Sequence, residues 1–133
     1  MYLIEKEEPI VQLDKSTKQL LQCNVEKESQ VIIHCAFSAD TNEDQLVRIW
    51  RSTYLCAKGS SHKSNLAYIE NISIAPKWSL VNAGSTLHFT LIFSGLPKYC
   101  QSFDFKEEIP EPGGFVVKNI ARNSDDVYRL SLN

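Results

Sequence analysis

The amino-acid sequence predicts an all-β protein, an immunoglobulin-like antiparallel β-sandwich of two sheets with about seven to nine strands. Three observations carry this expectation. Apolar and polar residues alternate with period two along most of the chain. Helical periodicity never persists over about ten residues. Gly, Pro, Asn and Ser collect between the alternating runs, where turns belong.

The first two strands, near 9–13 and 18–23, are weakly marked, and over 14–22 a short helix competes. Residues 30–37, "QVIIHCAF", set Val31, Ile33, Cys35 and Phe37 on one face. Residues 45–56, "QLVRIWRSTYLC", read as one long strand that is apolar on both faces. Val47, Ile49, Thr53 and Leu55 form one side, and Leu46, Trp50, Tyr54 and Cys56 the other, as in a covered or central strand. A turn at 58–63 leads to a strand over 64–75, and "NAG" at 82–84 marks the next turn. The clearest strand is 86–94, "TLHFTLIFS": Leu87, Phe89, Leu91 and Phe93 point to a core, and only Ile92 interrupts the polar face. Strands over 102–108, 115–121 and 127–132 complete the series.

The connection "SGLPKYCQ" suits either a hairpin or a crossover between sheets, and the crossover is favoured. In the hairpin, Phe93 would lie opposite Phe103 and His88 opposite Glu108. "IPEPGG" reads as a strand end and chain reversal, because prolines remove ladder donors and glycines accept positive φ. The next segment, "FVVKNIA", is a strand rather than the helix N-terminus that a phosphate-cradling loop requires.

At 133 residues the chain has the length of one domain, enough to bury roughly two-thirds of its unfolded surface without metal or disulfide staples. A net charge of −2, with acids and bases interspersed, leaves no electrostatic footprint for nucleic acid or anionic lipid. No run approaches the roughly 20 apolar residues of a membrane helix. The N-terminus lacks the basic start, apolar run and cleavage site of a signal peptide, so the expected compartment is the cytoplasm. Cys23, Cys35, Cys56 and Cys100 follow no zinc spacing and are expected as reduced, strand-packed thiols. Neither a metal nor a cofactor is expected.

Chemistry-bearing residues do not assemble into a catalytic set. Glu107 and Glu108 are consecutive in a strand, so they project to opposite faces, with Glu107 at the end of the buried face and Glu108 beside Ser102, Asp104 and Lys106 on the wet one. Ser60, Ser61 and His62 share a turn without the geometry of a nucleophile and base, and His34 and Cys35 point apart. An enzyme would have to use His88 with Glu108 or Asp104 in a concave pocket. For binding, the candidates are Arg48, Trp50 and Tyr54, on one parity of the long strand, with Trp78 in a connecting segment. Aromatic rings on a sheet face stack against sugars or bases, and Arg adds cation–π character; burial under the other sheet or the N-terminal extension is the favoured alternative for them. The expected role is therefore a non-enzymatic protein-interaction module that meets a partner through a sheet edge or this aromatic face. A small-ligand or carbohydrate-binding domain is the alternative.

The order of "RIWRSTYL", "HKSNLAYIENISIAP", "GSTLHFTLIFSGLPK" and "SFDFKEEIPEPGGFVVKNI" resembles a group of small, uncharacterised bacterial β-sandwich proteins. The resemblance covers residues 45–122, with "AYIENI" where that pattern has "AENI". It implies an immunoglobulin-like sandwich, of a kind also similar to accessory domains of exported bacterial enzymes. It implies no activity and no site residue.

Overall fold

A computed structural model describes residues 11–12, for which the backbone alone is considered, and residues 30–133. The expected strand over 18–23, the competing helix over 14–22 and Cys23 lie outside the described residues. The described residues form ten strands: β1 (Val11–Gln12), β2 (Val31–Ser38), β3 (Gln45–Val47), β4 (Tyr54–Ala57), β5 (Lys63–Glu70), β6 (Ser79–Val81), β7 (Thr86–Phe93), β8 (Ser102–Lys106), β9 (Val116–Ala121) and β10 (Val127–Ser131). Among the described residues there is no helix, and so none long and apolar enough to cross a membrane.

Eight strands form one curled sheet in the order β10-β2-β7-β5-β4-β8-β9, with β1 added to β5, while β3 and β6 pair by themselves. The bend lies in β5. Its first half, Lys63–Asn65, pairs with β4, and its second half, from Leu66, pairs with β7. A register shift between Leu66 and Tyr68 sharpens the turn of the sheet there, as bulges do. The curl brings β8 over β10: Phe103 meets Tyr128 edge-on at 4.9 Å between ring centroids, and Phe93 of β7 meets Phe105 of β8 at 6.0 Å. Val31, Ile33 and Cys35 of β2, with Phe89, Leu91 and Phe93 of β7, supply the opposite wall of this core, as their alternation predicts.

Several expectations require correction. The sheet is mixed rather than antiparallel, because β1 runs parallel to β5 and β10 parallel to β2. The long strand over 45–56 is two strands. Thr53 turns back on Trp50, its N–H and hydroxyl donating to the Trp50 carbonyl at 3.0 and 2.6 Å. The inward side, Val47, Ile49, Thr53 and Leu55, is buried as expected, but Leu46 stands 57% exposed. β5 stops at Glu70, where Asn71 takes a positive φ, and β6 is a short strand beyond it. The connection after β7 is the crossover: β7 pairs with β2 and β5, β8 with β4 and β9. Phe93 therefore faces Val31 and Leu66 across the ladder, and His88 faces Ala36.

Asp104 is also buried, not on a wet face. One extra residue in β9 bulges opposite it, with Asn119 at φ 59, and the Asp104 carboxylate accepts the Asn119 N–H at 2.9 Å and pairs with Lys58 at 3.2 Å. Burial works against its charge, but the Asn119 and Lys58 bonds prevail and hold its pKa below the usual value.

Candidate functional site

The β3–β6 pair packs its inner residues, Val47 and Val81, into the core and turns Leu46 and Leu80 outward. Ile49 continues the line of β3 by bridging to Ile74, which brings the segment before β6 alongside. Arg48, between these two anchors, is thereby aimed at Trp78. Its guanidinium carbon sits 3.8 Å over the Trp78 ring and 5.2 Å from the centroid of Trp50. Its Nη1 donates to the Pro76 carbonyl at 3.0 Å, and its Nη2 reaches Glu111 at 3.4 Å. Five donors in a rigid fork let one guanidinium do all this while its flat face covers an indole.

Glu107 holds the opposite side together. Its carboxylate accepts the backbone N–H of Trp50 at 2.9 Å and of Phe115 at 3.2 Å, and its own N–H donates to the Phe115 carbonyl at 2.8 Å. One buried side chain thus ties the Trp50–Thr53 turn to the base of the 108–114 loop. Burial raises the Glu107 pKa, an effect that the two N–H donors and the nearby Arg48 charge limit. The loop closes so tightly that a methyl group at Gly114 would run into the Glu107 carbonyl oxygen. Gly114→Ala is accordingly expected to cost about 1–3 kcal/mol through forced displacement of backbone. Urea unfolding measures it, and an unchanged midpoint would show that the loop has slack.

Between these parts lies an open groove of about 260 Å³, walled by Leu46, Trp50, Trp78, Ile109, Pro112 and Phe115. Arg48, Glu107 and Glu111 are its charged groups. Of the four residues singled out from the sequence, Arg48, Trp50 and Trp78 meet here. Tyr54 does not. It lies 7% exposed on β4, its hydroxyl donating to Glu108 at 2.5 Å and its ring 4.6 Å from the Lys63 ammonium. Burial, then the Glu108 carboxylate, pushes its pKa up to about 12. The turn at Trp50–Thr53 separates the two rings that strand alternation placed on one face.

Glu107, Glu111 and Leu80 were not expected to belong with the aromatic residues, whereas Leu46 shares the parity of Trp50. The parity of Glu107 with Phe103 and Phe105 pointed to its burial, but its two N–H partners come from distant segments. His88 and Glu108, opposite each other in the hairpin alternative, are apart: one lies beside Ala36, the other takes the Tyr54 hydroxyl. No family model, no curated protein and no solved structure matches the chain.

Proposed function

We propose that this protein is a non-enzymatic interaction module whose groove receives a bulky apolar side chain from an extended segment of a partner protein. The observation that carries the reading is one continuous exposed apolar surface beside the groove. Leu46 and Leu80 lie directly opposite each other across β3 and β6, 57% and 59% exposed, and Trp78 adds a half-exposed indole. Soluble chains rarely leave such a patch open without use, and Trp and Arg are the residues that most often anchor an interface. The size of the groove favours one large side chain; sites for whole small molecules run from about 300 to 1,000 Å³. An immunoglobulin-like arrangement, with β10-β2-β7-β5 facing β4-β8-β9, is the form of the fold that fits this role, and the Phe103–Tyr128 contact supports it.

Selection of a random peptide library on the full chain tests the reading. Enriched peptides are expected to carry a bulky apolar residue, and a Trp78→Ala/Leu80→Ser double variant, folded by circular dichroism, is expected to bind them at least about tenfold more weakly. Affinity that survives the double variant would remove the groove from consideration. Capture of a glycan in place of peptides, lost on Trp78→Ala, would favour the carbohydrate reading instead. That alternative has less support, because Arg48 occupies one face of Trp78 and Tyr54 stands elsewhere.

A further inference from the structure

The outer face of β10, β2, β7 and β5 is ordered in rows by the ladder register. The first row is apolar: Val127, Ile32, Ile92 and Tyr68, with Ile32 and Ile92 buried together. Next come Arg129, His34, Thr90 and Glu70, and then Ser131, Ala36 and His88. Directly opposed side chains in a sheet stand about 4.5–5.5 Å apart, and Ala36, the one side chain in these two rows without a polar group, lies with the small Ser131 at the floor of a depression. The depression is a dish of about 490 Å³ whose rim includes Arg129, His34, Thr90, His88 and Ser131.

Donors dominate the rim. Among the described residues no hydrogen bond or ion pair engages the Arg129 guanidinium or the His88 ring. His34 Nδ1 and Thr90 Oγ1 are 2.9 Å apart, which holds that imidazole upright at the wall of the dish. The one carboxylate on the rim, Glu70, stands beside Thr90 at the far end of its row, three strands and about 14 Å from Arg129 at 4.7–4.9 Å per strand, so an anion on the guanidinium lies at the end of the dish away from it. A guanidinium fork with the Ser131 hydroxyl and the His88 imidazole beside it matches a tetrahedral oxyanion, because the fork takes two oxygens and leaves the others to the flanking groups. No group of three or more His, Cys, Asp or Glu among the described residues is placed to hold a metal ion, so a cation is the poorer fit.

We propose that the dish over Ala36 is a second binding site, independent of the groove, for phosphate, either as the free ion or as the ester of a small molecule. The test is a titration of the isotope-labelled full chain with inorganic phosphate and, separately, with O-phosphoserine, followed by amide chemical shifts against chloride at matched ionic strength. Saturable shifts centred on Ala36, His88 and Arg129 are expected, with affinity falling about tenfold or more in Arg129→Gln. Ala36→Leu, which raises the floor of the dish without altering a charge, is expected to weaken the shifts. Tighter binding of O-phosphoserine would assign the site to an ester, and equal binding to the free ion. Absence of saturable shifts up to about 10 mM, or shifts of equal size in Arg129→Gln, would overturn the site.

Discussion

Replacing Phe103 by alanine is expected to cost about 3–5 kcal/mol, a large share of the roughly 5–15 kcal/mol that holds a domain together. Phe103 is fully buried where the curl of the sheet closes, and its ring meets Tyr128 edge-on across the core. Truncation deletes the transfer energy of a phenyl group and leaves a cavity that neighbours on two separate parts of the sheet cannot both fill. Thermal unfolding should show the midpoint falling by roughly 10–20 °C. Tyr128→Phe is the control. It keeps the ring but removes the hydroxyl that donates to Asp126 at 2.8 Å and accepts the Asn123 N–H at 3.1 Å, for a loss of about 1 kcal/mol. A double-mutant cycle with Phe103→Ala and Tyr128→Ala should give a coupling of about 0.5–1.5 kcal/mol. A loss under about 1 kcal/mol for Phe103→Ala would mean that β8 and β10 do not share a core.

Glu107→Ala is expected to cost about 2–4 kcal/mol and to loosen the groove at the same time. It removes a charged acceptor from the Trp50 and Phe115 N–H groups, which lie where water replaces it poorly. Peptide binding at the groove should weaken in step with stability, because the same side chain joins the Trp50 turn to the 108–114 loop. Glu107→Gln keeps the shape and separates charge from volume. The folded carboxyl has a raised pKa, so between about pH 4.5, the unfolded value, and that higher value the folded chain binds more protons than the unfolded one. This group's contribution to stability is therefore fully present below the unfolded pKa and declines as pH rises through the folded pKa. The urea midpoint of Glu107→Gln should lack that decline. Parallel pH profiles for the two proteins would show that Glu107 titrates as it does in the unfolded chain.

The strands with regular alternation were legible in the sequence. Val31, Ile33 and Cys35 in β2, and Phe89, Leu91 and Phe93 in β7, face the core as their spacing indicates. The turns at Gly59, Gly84 and Gly113 fall where glycine supplies the positive φ. The break between β3 and β4 was hidden, because Trp50, Arg51, Ser52 and Thr53 contain neither Gly nor Pro and the turn is made by the Thr53 hydroxyl. β6 is only three residues long and too short for periodicity to register. Asp104 looked like a surface residue because a bulge in another strand, at Asn119, is what turns a backbone N–H toward its buried carboxylate.

By itself, the sequence determined that the described residues are all-β, which apolar residues of β2 and β7 face the core, and where the chain reverses at its glycine-bearing turns. Those properties are local: a pleat alternates whatever its neighbours are, and a glycine or proline constrains its own backbone. Only the tertiary structure decided that β10 and β2 run parallel, that Arg48 lies on Trp78 rather than beside Tyr54, and that Ala36 sits as a gap among donors. Each of these depends on which distant segments become neighbours, and backbone hydrogen bonds, which are the same for every residue, do not encode that choice in any single strand.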